Sequence, residues 1–211
     1  MPLLVSRYDS QTDELLARAA EGDRAARNEL LAIHRGRLRQ MVALRMDRRL
    51  AARVDPSDVV QEALAEANRT MNDYLRDRPL PFYAWLRRLA WERLVALSRR
   101  HIRAGKRSVN REQRWAPCVS EGSAAVLAGR LAAEGTNPSG RMLREELQGR
   151  VRNALAQLDE HDREVLLLRY VEQLSTEETA GVLAISEGAV KSRLLRALVR
   201  LRDRLDECER E

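Results

Sequence analysis

Residues 174–205 read LSTEETAGVLAISEGAVKSRLLRALVRLRDRL. Ser175 and Glu178 stand ahead of an apolar run at the spacing of a capping box, in which the serine hydroxyl and the glutamate carboxylate each satisfy an amide N–H left unbonded at a helix start. A short helix ending near Ala184 is predicted. Ser186 can cap a second helix, along which Val190, Leu194, Ala197 or Leu198, and Leu201 recur at helical spacing. That second helix also carries Lys191, Arg193, Arg196 and Arg200. Two helices joined by a tight turn, the second one basic, make a helix-turn-helix, whose second helix enters the major groove. Glu187, Lys191, Ser192 and Arg196 are the expected base readers, since a carboxylate accepts from cytosine and a guanidinium donates to guanine. The competing interpretation is a surface helix in a simple bundle.

Upstream, Leu147, Val151, Leu155 and Leu158 mark an amphipathic helix, a turn falls at Asp159-Glu160-His161-Asp162, and REVLLLRYVEQ follows as another helix. Residues 144–206 thus form a small helical module. Before it, residues 105–143 lose periodicity around SEGS and TNPSG, with a short helical stretch AAVLAGRLAAE between them, and read as a flexible linker. A coil of that length has an end-to-end distance near 35 Å and a limit of about 130 Å.

The N-terminal module, residues 12–104, is also helical. Thr12 is a candidate cap for a first helix with Leu15, Leu16 and Ala19 on one face, and Asp23 for a second with Leu30, Ile33, His34 and Leu38. In DPSDVVQEALAEA (55–67), Asp55 suits the N-cap and Pro56 the first helical position. Val59, Ala63 and Ala67 then face inward, leaving Asp58, Gln61, Glu62 and Glu66 on an acidic face. Residues 72–82, with two prolines, predict a loop, followed by a long helix from Tyr83. Tyr74, Phe82, Tyr83, Trp85 and Trp91 cluster here beside arginines, the combination that stacks on unpaired bases while holding phosphates. Trp85 and Trp91 fit core or stacking equally; Tyr74 and Phe82 are the expected exposed pair.

Charge supports a polyanionic partner. The 211-residue chain carries a formal +6, yet residues 85–115 alone hold nine Arg and one Lys against Glu92 and Glu112, a net of +8. Other classes are poorly supported. Cys118 and Cys208 offer no disulfide framework or zinc spacing, His34, His101 and His161 no metal-ligand pattern, and no hydrolase, dinucleotide or P-loop motif occurs. No cofactor and no catalytic set is expected. Without an apolar run of about 18 residues or a signal-peptide pattern, no membrane insertion is expected and the cytoplasm is the expected location.

The order of these parts resembles a bacterial RNA polymerase sigma factor of the extracytoplasmic-function (ECF) type. The resemblance rests on DPSDVVQEALAEA, then FYAWLRRLAWERLVALSRR, then LDEHDREVLLLRYVEQLSTEETAGVLAISEGAVKSRLLRALVRLRDRL. The SEGS and TNPSG clusters look like those of planctomycete-like ECF groups. The resemblance implies that Asp55, Asp58, Gln61, Glu62 and Glu66 dock on the clamp helices of the polymerase β′ subunit. It implies that Asn68, Asn72, Tyr74, Phe82, Trp85, Arg87, Arg88 and Arg99 recognise and open the minus-ten element. Ser186, Glu187, Lys191, Ser192, Arg193, Arg196 and Arg200 would read the minus-thirty-five element in a module that also packs on the β flap. Partners so implied are core polymerase, promoter DNA and an anti-sigma factor. Two departures concern stability: Ala184 stands where the family commonly has Gly, and Gly181 lies inside the first helix of the motif. A stand-alone dimeric helix-turn-helix regulator is the alternative function.

Overall fold

The computed structural model describes residues 3–46, 48–105, 121–134 and 141–207. Cys118 and Cys208 lie outside them. Ten α-helices run through the described residues: α1 Leu3–Ala20, α2 Arg24–Arg45, α3 Arg48–Ala51, α4 Pro56–Asp77, α5 Phe82–Gly105, α6 Glu121–Glu134, α7 Arg141–Gln157, α8 Glu160–Leu166, α9 Thr176–Leu183 and α10 Glu187–Glu207. One π-helical turn, Leu167–Val171, follows α8. No strand occurs among the described residues. The all-α expectation holds. The chain divides into two units, Met1–Ala43 with Arg49–Val109, and Leu44–Arg48 with Asn110–Glu211.

In the first unit, α4 packs on α5 and α1. Its core gathers Leu15, Leu16 and Ala19 of α1, Leu30, Leu38 and Met41 of α2, Val59, Ala63, Ala67 and Met71 of α4, and Leu86, Ala90 and Leu94 of α5. These are the apolar positions that recur every three or four residues, so one stripe of each helix is buried. Asp23 caps α2 by accepting from the amides of Ala25 (2.8 Å) and Ala26 (3.0 Å). Asp55 caps α4 through the Ser57 amide at 2.7 Å, with Pro56 in the first turn. Thr12 is not the cap it was expected to be. It lies inside α1, which begins at Leu3, and its buried hydroxyl meets Nε2 of His34 at 3.1 Å.

The expected loop at 72–82 is also corrected. α4 continues to Asp77 and ends on Arg78, whose left-handed backbone (φ 37°, ψ 56°) returns its N–H to the carbonyl of Tyr74. Only residues 78–81 connect α4 to α5. Pro79 and Pro81 stop the helix but sit at its far edge, so the residues before them remain helical.

In the second unit, α6 forms within the stretch expected as a linker, and its Leu127 and Ala128 join one core with Val151, Leu155, Leu158, Val165, Leu166, Leu167, Val190, Ala197 and Leu201. Arg45 is buried in this unit, its guanidinium on Glu164 (2.8 and 3.0 Å) and Glu172 (2.6 Å). Burial alone would weaken its hold on the proton, but the two carboxylates outweigh this and raise its pKa. Arg163 closes the end of α7 by donating to the carbonyls of Leu155 (2.8 Å), Ala156 (3.2 Å) and Leu158 (2.7 Å).

Candidate nucleic-acid interface

The helix-turn-helix is α9 and α10. Its entry is fixed by the predicted capping box: the Glu178 amide donates to the Ser175 hydroxyl at 3.0 Å, and the Ser175 amide donates to the Glu178 carboxylate at 2.7 Å. The turn is made by Ala184 in the left-handed conformation (φ 52°, ψ 45°), with the Ile185 amide returning to the Ala180 carbonyl at 3.1 Å. Ser186 caps α10, accepting from the Ala189 amide at 3.2 Å. This cap gives Ser186 a structural duty at the edge of the expected DNA surface.

On α10, Val190, Ala197 and Leu201 are buried, as the apolar spacing predicts. Glu187, Lys191, Ser192 and Arg196 are exposed, and Arg193 is half-buried. Exposure leaves Lys191 and Arg196 able to meet phosphate or base edges. Arg200 is placed differently. Its Nη1 lies 2.9 Å from Asp159 and also contacts Asp162, so it ties α10 to the start of α8. Two carboxylates at a helix N-terminus lie within its reach, so Arg200 has an internal partner that Lys191 does not, while its side chain stays 54% exposed.

Sequence spacing did not single out Leu195 and Val199. They are the exposed large apolar residues among the described ones, at 65% and 41% exposure. The signal was available, since both fall off the inward row of α10.

The first unit separates its expected DNA residues into two sets. Asn68, Asn72, Arg88 and Arg99 are exposed, with Asn68 and Asn72 one helical turn apart on α4. Tyr74, Phe82, Trp85 and Arg87 are buried. Tyr74 stacks on Trp85 with ring centroids 4.4 Å apart, meets Phe82 edge-on at 5.3 Å, and donates its hydroxyl proton to the Leu80 carbonyl at 2.9 Å. Phe82 lies 5.4 Å from the His34 ring, and the Arg87 guanidinium 5.8 Å from that of Trp91. The expected exposed stacking pair is therefore core. The physical reason is the helical extension of α4, which places Tyr74 on the same inward stripe as Ala67 and Met71. His34, beside the rings of Phe82 and Tyr83 (5.7 Å), has its pKa lowered to about 4, by burial first and then by the charge of Arg37.

The acidic face of α4 has its own division. Asp58, Gln61 and Glu62 are exposed, and no side-chain hydrogen bond or ion pair engages them among the described residues. Glu66 pairs with Arg69 (2.6 Å) and Arg93 (3.0 Å), and Asp55 serves as the cap, its pKa lowered chiefly by the Ser57 amide. An outside partner would thus meet Asp58, Gln61 and Glu62 first. No cluster of metal-ligating side chains occurs among the described residues.

Comparison with known proteins agrees with this geometry. The family described as Sigma-70, region 4 matches residues 148–201, which take in most of α7 and run through most of α10. The chain is 31% identical over 191 residues to the ECF RNA polymerase sigma-E factor of Escherichia coli strain K12, covering 88% of this chain and 90% of that one. It is 29% identical over 189 residues to the RNA polymerase sigma-H factor of Pseudomonas aeruginosa PAO1, covering 89% and 90%. Among solved structures it resembles CnrH, determined in complex with the cytosolic domain of CnrY, with a TM-score of 0.53, 27% identity and coverage of 93% of this chain and 98% of that one.

Proposed function

The chain belongs to the ECF sigma factors of bacterial RNA polymerase, and from that premise we propose how its residues divide the work of directing the polymerase to promoters. The observation that carries the proposal is the separation of charge between exposed helical faces. Asp58, Gln61 and Glu62 of α4 present an acidic surface, whereas α10 presents Lys191, Ser192 and Arg196. A carboxylate face repels DNA phosphates and attracts a basic protein surface, so the first face serves polymerase and the second serves DNA.

In this reading α4 docks on the clamp helices of β′ through Asp58, Gln61 and Glu62. Asn68 and Asn72 on α4, with Arg88 and Arg99 on α5, meet the minus-ten element, the asparagines as hydrogen-bonding groups and the arginines as phosphate contacts. Glu187, Lys191, Ser192, Arg193 and Arg196 read the minus-thirty-five element, and the same module meets the β flap. The domain assignment follows: residues 12–104 for polymerase docking and minus-ten opening, 144–206 for minus-thirty-five reading, and 105–143 between them. A protein inhibitor is proposed as a further partner, supported by the complex of CnrH with the cytosolic domain of CnrY. No helix of the described residues is long and apolar enough to cross a membrane, which fits a place in the cytoplasm beside polymerase and promoters. The SEGS and TNPSG clusters support a place among the planctomycete-like ECF groups. A stand-alone dimeric regulator would leave the acidic face of α4 without a role.

The test is transcription by purified core polymerase with the full chain on genomic DNA. Wild type is expected to give discrete starts. Asp58→Lys combined with Glu62→Lys should abolish them by preventing association with core, measured by co-elution. Lys191→Gln combined with Arg196→Gln should leave association intact and lose promoter binding. Retained association after charge reversal would overturn the assignment of the acidic face.

A further inference from the structure

We propose that Leu195 reads the 5-methyl group of a thymine in the major groove. The proposal rests on the assignment of α10 to duplex DNA. Single apolar side chains on a protein surface are ordinary. Leu195 and Val199 differ in their placement: they stand one helical turn apart, opposite the buried row of Val190, Ala197 and Leu201. Ser192, Leu195 and Val199 follow one another at intervals of three and four residues, forming one outward stripe. Lys191 and Arg196 flank Leu195, and residues 188–202 include five cations and no Asp or Glu. A groove walled by phosphates matches that charge. A basic protein surface, the partner proposed for α4, would be repelled by it.

The chemistry of the groove supplies the apolar partner. Each base pair shows donors and acceptors at the major-groove floor, but only thymine adds a methyl group, and side chains such as Ala, Thr and Phe meet it by apolar contact. Lys191 and Arg196 are suited to guanine O6 and N7. Between them an exposed leucine lacks any hydrogen-bonding capacity and discriminates only by covering a methyl. At about 1.5 Å rise per residue, Leu195 lies roughly 6 Å along the helix from Lys191, so its thymine falls within about two base-pair steps of the base facing Lys191. Val199, one turn further on, extends the apolar stripe and shields that contact from water.

The test separates this claim from the one beneath it. Polymerase carrying the full chain first selects a promoter duplex from a randomised library, and each thymine of the selected upstream element is then replaced by deoxyuridine, which removes only the methyl. Wild type should bind about fourfold more weakly at one or two of these positions, the size of one buried methyl group. Leu195→Ala, at a site too exposed to affect folding, should bind the thymine duplex more weakly but show no further loss with deoxyuridine. An equal deoxyuridine penalty in wild type and Leu195→Ala would overturn the proposal. So would an unchanged penalty accompanied by weaker association of Leu195→Ala with core polymerase, which would assign the apolar pair to a protein. Failure to select any duplex would instead refute the promoter-directing role of α10.

Discussion

Substituting Arg200 tests whether its side chain braces the helix-turn-helix unit or touches DNA. Its guanidinium contacts Asp159, the N-cap of α8, and Asp162, whose side chain is only 7% exposed. Replacing Arg200 by Gln removes both charge partners. The pair with Asp159 is surface-exposed and is worth about 0–1 kcal/mol. Asp162 is nearly buried, and a buried acceptor left without its charged donor costs about 1–3 kcal/mol. The second unit should therefore lose about 2 kcal/mol, lowering its urea midpoint by roughly 1–2 M for a module of this size. Binding should behave in the opposite way. Each phosphate contact adds about 0.9 to the slope of log affinity against log salt, roughly a threefold effect between 50 and 200 mM. Arg196→Gln should reduce that slope by about one and leave the urea midpoint unchanged, whereas Arg200→Gln should lower the midpoint and leave the slope alone. The assays are urea denaturation of the full chain followed by circular dichroism, and fluorescence anisotropy of a labelled promoter duplex with holoenzyme. A normal midpoint with a shallower slope for Arg200→Gln would show that the side chain faces phosphate in solution and that the brace is not formed.

Three further outcomes are expected. Because the folded pKa of His34 is depressed to about 4 while the unfolded value is about 6.5, the folded first unit binds fewer protons between those limits. Its stability is complete above pH 6.5 and declines towards pH 4 by about 3 kcal/mol, and His34→Gln should flatten the decline; an NMR titration of the assigned His34 imidazole with a midpoint near 6.5 in the folded protein would refute this. Ala184→Gly should raise the melting temperature by relieving a left-handed Ala at a cost of about 1 kcal/mol, with helix content unchanged. Asp55→Ala should destabilise the first unit and lower its urea midpoint through loss of the α4 cap, whereas Asp55→Asn should restore stability; if Asp55→Asn still weakens association with core, the carboxylate itself meets polymerase.

The helix-turn-helix was legible because its determinants are local. The capping box, the serine cap of α10 and the left-handed alanine each involve residues a few positions apart, and the inward row of α10 is a simple period. The acidic stripe of α4 was legible for the same reason. The aromatic residues were not. Tyr74 and Trp85 stack across α4 and α5, and nothing local distinguishes an aromatic ring facing a neighbouring helix from one facing an unpaired base. The prolines at 79 and 81 also pointed to a longer loop than exists, since proline constrains the residue before it but not the helix several residues upstream. Likewise, the packing of α6 depends on Leu127 and Ala128 meeting residues far along the chain, a contact its weak periodicity did not announce.

Charge also has internal uses. Arginine supplies 36 of the 38 basic residues. Much of it serves inside the protein. Arg163 holds three carbonyls at the end of α7, Arg27 donates to the Ala19 carbonyl (3.2 Å), Arg45 lies between two glutamates, Arg93 holds Glu66, and Arg200 braces α8. Each of these tasks suits the flat, multiply donating guanidinium, which can satisfy several oxygens at once where a lysine ammonium would act as a point charge. A bias towards arginine over lysine is thus as much a mark of carbonyl and carboxylate clamping as of DNA affinity. Among the described residues, the cations proposed for phosphate are those left exposed beside no internal acceptor, Lys191 on α10 and Arg99 on α5 among them. Under the proposed division of roles, the described cations contribute to promoter binding by their position on the helix rather than by their number.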